Sequence, residues 1–338
     1  MIVEALVCRE PGRLVLEERP APAHKPEMAL VRPRRIGICG TDYHIFEGTH
    51  PFLQYPRVMG HELAVEVLDV PAGSGVAPGE VVVVNPYISC GRCIACRADK
   101  PNCCIRISVL GVHHDGGMVR LLSVPPRNLV RAEGLTLDEC AAVESLAIGA
   151  HAVRRGVVTA RDRVLVVGTG PIGLGVVLFA KATGADVAVF DHDPERAETA
   201  AALAGVNAIK AEREVVEAVR EFTSGDGFDI VFDATGNQGA MERGFNFVAH
   251  GGRYVFVSVI KDSITFSDPD FHRKEMTLCG SRNATSEDFK QVIGAIRAKQ
   301  VPIDHLITHR TSLAGAVSNI PIWASQKRGL IKAIVEIE

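Results

Sequence analysis

Apolar and polar positions divide the chain into two regions of different period. Residues 1–90 carry short runs that alternate or are rich in β-branched residues: MIVEALV, RLVLEE, MALVRPRRIGI, ELAVEVLDV and EVVVVN. PAPAHKP and PAGSGVAPG punctuate them as turns. Frequent short strands of this kind predict an all-β, barrel-like domain. Residues 105–135 keep strand and loop character. Thr136 with Glu139 three residues later then predicts a capping box, and LDECAAVESLAIGAHAV follows with helical character.

From residue 163 the pattern changes. RVLVVGTGPIGLGVVLFAKATGADVAVFDHD reads as an apolar strand, a Gly-rich turn, a helix and a second strand. Asp193 can cap a helix over PERAETAAALA. FDIVFDATG and GGRYVFVSV are buried-strand candidates, with a helical stretch near 239–249 between them. MTLCGS is a further short strand, and Thr285 or Ser286 caps a helix containing Phe289, Val292, Ile293 and Ile296. LIKAIVEIE is a final strand. The β-α alternation predicts an α/β doubly wound parallel sheet beside the β domain.

With 338 residues, two domains are expected rather than one core. Charged residues are 23% and hydrophobic ones 47%, the profile of a soluble globular protein. A net charge of −3 provides no basic field for nucleic acid or an anionic membrane. MIVEALVCREPGRLVLEERP reads as neither signal peptide nor anchor, and no run approaches the ~18 apolar residues of a membrane span. Nine cysteines in such a chain point to a reducing compartment, the cytoplasm, where clustered Cys means metal more often than disulfide.

Three constellations carry chemistry. GICGTDYH, residues 37–44, offers Cys39, Thr41, Asp42 and His44, and MGHE adds His61 and Glu62. A lone buried Cys is usually a small core residue. Cys, His and Glu together are a normal donor set for a zinc ion that keeps one position open. The second constellation is CGRCIACRADKPNCC, residues 90–104. Four thiolates close a tetrahedral zinc site, which makes it structural. Cys90, Cys93 and Cys96 supply three, and Cys103 or Cys104 the fourth; the remaining cysteines are inert. The adjacent His113, His114 and Asp115 form no third metal site, because neighbouring His side chains rarely point at one ion. They line a cleft or serve structure.

The third is the GxGxxG fingerprint of Gly168, Gly170 and Gly173, after a β-branched strand and opening a helix at Pro171. Asp191 follows about twenty residues on, where a carboxylate binds ribose hydroxyls and repels a 2′-phosphate. NAD is therefore expected over NADP. Arg196, on the next turn, either softens that preference or pairs on the helix surface or covers the adenine.

CGTDxH followed by GHE, the Cys set and the glycine fingerprint resemble the zinc-containing medium-chain alcohol/polyol dehydrogenase family, and the resemblance covers essentially the whole chain. It implies a chaperonin-10-like catalytic barrel over 1–150 and 288–338, with a structural zinc lobe at 87–106. A Rossmann domain over 151–287 is inserted, with the cleft between the two. Asn102 selects Cys104 as the fourth structural ligand. The family's catalytic zinc falls on Cys39, His61 and Glu62. Glu144 serves as a fourth ligand or holds the displaceable water; its apolar neighbours Ala141, Ala142, Val143 and Leu146 argue against a surface carboxylate. Thr41 matches the hydroxyl that takes the substrate proton, His44 the imidazole that relays it, and Asp42 would orient His61. The implied cofactor set is Gly168, Gly170, Pro171, Ile172, Gly173, Asp191, Arg196, Val257, Val259 and Lys332. Two zinc ions per subunit and a homodimer or homotetramer are implied as well. Met118, Arg120 and Leu121 depart from the family's GGF-A/S-E-Y, so the cleft edge should differ.

Among branches of the family, an oxygen-rich zinc set and 5% aromatic residues suit a polar, polyhydroxylated substrate. YPRVMGHE, NCCIRISVLGVHHDGG and ITFSDPDFHRKEMTLCGSRNATSEDF resemble the L-galactonate and L-gulonate 5-dehydrogenases more than the sorbitol or threonine dehydrogenases. An aldonate needs a cation for its carboxylate, and a guanidinium fits it best. Arg282 is the candidate, with the NAD pyrophosphate or an ion pair as its alternative partners; His113 and Lys261 are weaker ones. A zinc-free reductase of the same superfamily would lack the GHE pair. A non-enzymatic relative would have lost one of Cys39, Thr41, His61 or Asp191, and all are present.

Overall fold

A computed structural model describes residues 1–338 except 24, 51–52, 211–213 and 327–328. His24, within the expected PAPAHKP turn, thus lies outside the described residues. The chain divides into two compact units, residues 1–145 with 284–338, and residues 146–283.

The first unit is mainly β. The alternating runs became the strands Ile2–Glu10, Arg13–Pro20, Ala29–Ile38, Glu62–Asp69 and Val81–Val84. Ala29–Ile38 lies inside the larger sheet, between Glu62–Asp69 and the late strand Lys332–Glu336. The register sets Gly37 opposite Glu62 on one side and opposite Ile334 on the other. Lys332–Glu336 pairs in turn with Ile307–Ser312, so the chain returns to this sheet after the second unit. The inward faces bury Leu6, Ile36, Ile45, Met59 and Leu63 completely. Met118, expected to change a cleft edge, is part of this core, and Arg120 pairs with Glu4.

Two features were less visible. GTDYHIFE, read for its chemistry, folds as the helix Gly40–Glu47. Cys39 is its N-cap: its N–H donates to Asp42 Oδ2 at 2.9 Å while its sulfur accepts from the Asp42 N–H, a reciprocal cap. The other is the two-stranded ribbon of Tyr87–Ile88 with Ser108–Val109. Its strands are the stems of the cysteine loop.

The expected capping box forms at Thr136. Its N–H donates to Glu139 Oε2 at 2.7 Å and its hydroxyl accepts from Glu139 N at 3.2 Å. The helix Leu137–Gly156 follows, and the boundary between the units falls within it.

The second unit is the parallel sheet. Its strands run in the order 207–208, 186–190, 163–167, 228–233, 248–256 and 277–280. The sequence order reverses between Arg163–Val167 and Phe228–Asp233, the point where such sheets bind ligands at their carboxyl ends. The helical stretch expected near 239–249 stops earlier, as Gln238–Gly244 and a short 3-10 turn. Strand pairing begins already at Val248, opposite Phe228.

Candidate active site and metal centres

The central strand Ala29–Ile38 assembles the catalytic cluster. Cys39 follows its last residue, Glu62 opens the neighbouring strand, and His61 immediately precedes it. Ligand atoms of Cys39, His61 and Glu62 lie within 4.8 Å of one another. His61 and Glu62 are buried. A side chain at position 37 would block this arrangement: a Cβ there would lie 2.0 Å from Glu62 Oε2. Gly37 was not singled out in the sequence, because it carries no chemistry of its own.

Glu62 does not stand alone. Lys332 Nζ lies 2.7 Å from both of its carboxylate oxygens and 3.4 Å from the Ile38 carbonyl. Lys332, expected among the cofactor contacts, is instead buried in this ion pair. The reason is the register, which brings the last strand beside Ile38. Burial opposes the lysine's charge, but Glu62 and Cys39 raise its pKa overall.

Glu144 lies outside the tight three-residue group, on the helix Leu137–Gly156, and is buried. Burial pushes its pKa up to about 7, against the lowering effect of the His61 charge. The Tyr87 hydroxyl donates to its Oε1. Tyr87 was missed in the sequence; a tyrosine in a short strand gives no sign of which carboxylate it will meet.

Asp42 meets this site through the backbone. Its carboxylate accepts from the Cys39 N–H and, at 3.2 Å, from the Gly60 N–H. It therefore fixes the backbone beside both Cys39 and His61, and not the imidazole directly. His61 Nδ1 is buried and has no hydrogen-bond partner. Burial alone would lower the His61 pKa, but the hydrogen bond to Cys39 and the charges of Cys39, Asp42 and Glu144 outweigh it and raise it well above the usual value. One thiol, two carboxyls and an imidazole with an unpartnered nitrogen form an electron-rich donor set, buried except at the half-buried Cys39. It fits a zinc ion.

Thr41 and His44 lie three residues apart on the helix Gly40–Glu47, a spacing that places them on one face. The His44 ring is exposed, with Nδ1 3.0 Å from Thr49 Oγ1.

The second metal centre forms as the spacing suggested. Sulfur atoms of Cys90, Cys93, Cys96 and Cys104 lie within 4.8 Å of one another, and Cys103 is exposed. Backbone amides converge on the sulfurs: Cys90 N on Cys104 at 3.3 Å, Cys96 N on Cys93 at 3.5 Å, Arg106 N on Cys104 at 3.4 Å. The Arg92 N–H is the chief influence drawing the Cys90 thiol down to about 6, which favours the thiolate that zinc requires.

His113, His114 and Asp115 face three ways. His113 Nδ1 accepts from Val109 N at 3.1 Å, His114 Nδ1 meets Ser108 Oγ at 2.8 Å, and Asp115 takes Arg19, Arg57 and the Val58 N–H. The His113 Nδ1 is thus engaged within its own loop.

In the second unit the glycine fingerprint has the geometry a dinucleotide needs. A Cβ at Gly173 would lie 1.8 Å from the Gly168 carbonyl oxygen, so only glycine lets helix meet strand there. At Gly170 a Cβ would meet nothing within 4 Å, and the helix Pro171–Ala182 that it opens has no side-chain cap. Open space and uncapped N–H groups at a helix N-terminus fit a pyrophosphate. Asp191 is buried, with Oδ2 accepting from Thr169 N at 2.7 Å and Oγ1 at 3.0 Å, and Oδ1 from Asp193 N at 3.0 Å. Burial works against its charge, but these donors hold its pKa below the ordinary value. Ile172 and Arg196 stand in the first turns of their helices. Val257 N donates to the Asp233 carbonyl at 2.9 Å, and Val259 and Lys261 are exposed. Arg282, also exposed, follows the edge strand Thr277–Gly280 in this unit.

Known proteins place this arrangement. Residues 25–134 match the alcohol dehydrogenase GroES-like domain and residues 171–298 the zinc-binding dehydrogenase domain. The L-galactonate-5-dehydrogenase of Escherichia coli K12 is 41% identical over 98% of both chains. The 2-dehydro-3-deoxy-L-galactonate 5-dehydrogenase of Pseudoalteromonas atlantica is 30% identical over 89% of both. Among solved structures, an alcohol dehydrogenase (rspB) from Escherichia coli CFT073, complexed with NADH, superposes with a TM-score of 0.92 over 99% of both chains at 28% identity. The chain belongs to the zinc-containing alcohol dehydrogenase family. It is an enzyme of that family.

Proposed function

We propose that the protein is a zinc-dependent, NAD-linked dehydrogenase of sugar acids. It oxidises a secondary hydroxyl, C5 of a six-carbon aldonate, to a ketone. The observation that carries this reading is the grouping of Cys39, His61 and Glu62 within 4.8 Å, with a further buried carboxyl at Glu144. The similarity to an L-galactonate-5-dehydrogenase over nearly the full length supports the substrate class.

Cys39, His61 and Glu62, with Glu144 direct or through a water, hold the catalytic ion. Zinc bound there supplies a Lewis acid that lowers the pKa of a coordinated hydroxyl. Thr41 takes the substrate proton, and the exposed His44 passes it to solvent. Gly170 and the amides of the helix Pro171–Ala182 hold the cofactor pyrophosphate, and the Asp191 carboxylate selects NAD over NADP. Cys90, Cys93, Cys96 and Cys104 bind a second, structural zinc. Arg282 receives the substrate carboxylate. The enzyme works as a cytoplasmic homodimer or homotetramer, with no nucleic-acid or membrane partner.

The test is NADH formation on paired aldonates and polyols of the same carbon skeleton. Turnover of aldonates is expected, and Arg282→Ala should raise KM for the acid far more than for the polyol. Turnover of simple polyols with none of any aldonate would overturn the substrate assignment.

A further inference from the structure

We propose that Tyr87 is a positioning residue for the catalytic carboxylate Glu144, holding it by a hydroxyl-to-carboxylate hydrogen bond. The inference rests on the reading above that Glu144 serves the catalytic metal, and it deepens that reading.

A glutamate has three side-chain torsions, so burial alone does not fix where its carboxylate points. A donor on a rigid ring does, provided the ring itself cannot move. The backbone of Tyr87 is held from several directions. Its N–H donates to Asn85 Oδ1 at 3.0 Å. The buried Asn128 side chain donates to the carbonyls of Asn85 at 2.7 Å and Tyr87 at 3.2 Å, and Asn85 N donates back to Asn128 O at 2.8 Å. These two buried asparagines have no part in the chemistry; holding the segment that carries Tyr87 gives them one.

The ribbon adds a second anchor. Tyr87 pairs with Val109 and Ile88 with Ser108. One strand leads directly into Cys90, and the other leaves Cys104 through the turn closed by Ile107 N on Cys104 O at 3.1 Å. The cysteine loop thus closes the far end of the ribbon, and Tyr87 is delivered to Glu144 from a base clamped on both sides. The hydroxyl is the one polar atom on the ring, and it lies against Glu144 Oε1. A ring without the hydroxyl would fill the same space, so the hydroxyl is the part that acts.

The experiment uses the full-length, zinc-loaded protein and follows zinc release to a chelator, together with kcat, KM for NAD and melting temperature. Tyr87→Phe should speed release of one zinc about 10- to 100-fold, the effect of losing an outer partner of a metal ligand. It should lower kcat and, by stranding a buried carboxyl, lower the melting temperature modestly, while leaving KM for NAD and the second zinc unchanged. In a Glu144→Gln background the same substitution should change nothing further. Wild-type release and kcat in Tyr87→Phe, beside an impaired Glu144→Gln, would overturn this proposal alone. If Glu144→Gln itself were silent, the assignment of Glu144 to the metal would fail first. Equal losses from Tyr87→Phe with and without the Glu144 carboxylate would show that the hydroxyl acts elsewhere than on Glu144, and would overturn the proposal.

Discussion

The two ligand clusters of the catalytic unit are built in opposite ways. The four cysteines come from fifteen consecutive residues, 90–104, and backbone amides of the same loop steady their sulfurs. The proposed catalytic set is gathered from residues 39, 61, 62 and 144, by strand register and one long helix. The first needs little beyond its own loop and a metal. The second needs the whole unit folded, including a lysine from the last strand. One kind of site is therefore part of the folding reaction, and the other is a result of it.

Exchanging a ligand in each cluster should produce the largest contrast. Cys93→Ser should reduce zinc from two ions per subunit to one and lower soluble yield and melting temperature, because structural zinc binding is folding free energy. Cys39→Ser should cut kcat by well over about 100-fold, beyond the loss of an outer-shell partner, with melting temperature nearly unchanged. Zinc analysis and calorimetry on both variants check this. The reverse pattern would invert the comparison.

The dispersed cluster should also be sensitive at residues with no metal chemistry. Lys332→Met leaves Glu62 buried without its partner. Breaking a buried pair in this way costs about 3–5 kcal/mol, which urea unfolding of protein stripped of the catalytic zinc alone would read. The cysteine loop should keep its zinc. A smaller effect is expected from Gly37→Ala, where the new methyl meets the Glu62 carboxylate and forces it aside. Overpacking of this kind costs about 1–3 kcal/mol. Catalytic zinc should bind more weakly, while the Cys90 set is untouched. Unaltered zinc affinity at both sites would show that Glu62 has more room than its contacts indicate.

The same contrast explains what could be read from the residues. The Cys90 set, the glycine fingerprint and the Thr136 capping box were legible because each is complete within one short segment. So were the strands with clean alternation. Lys332 was visible as a cation but not as the partner of Glu62, since nothing local links residues 270 positions apart. Tyr87 and Gly37 act through a contact and through an absent side chain, and only tertiary structure shows either. The Gly40–Glu47 helix was obscured by its own chemistry, since GTDYH draws attention as a ligand motif before it is considered as a cap and a turn.

The return of the chain at Lys332–Glu336 to the strand Ala29–Ile38 also has a meaning in time. At a synthesis rate of about 5–20 residues per second, roughly 15–60 s separate emergence of the two partners. During that interval one edge of Ala29–Ile38 lacks its neighbour, and an unpaired edge invites association with other chains. The cysteine loop, by contrast, can close on a metal while most of the polypeptide is still being made. A nascent chain would therefore acquire its first zinc long before the second site exists.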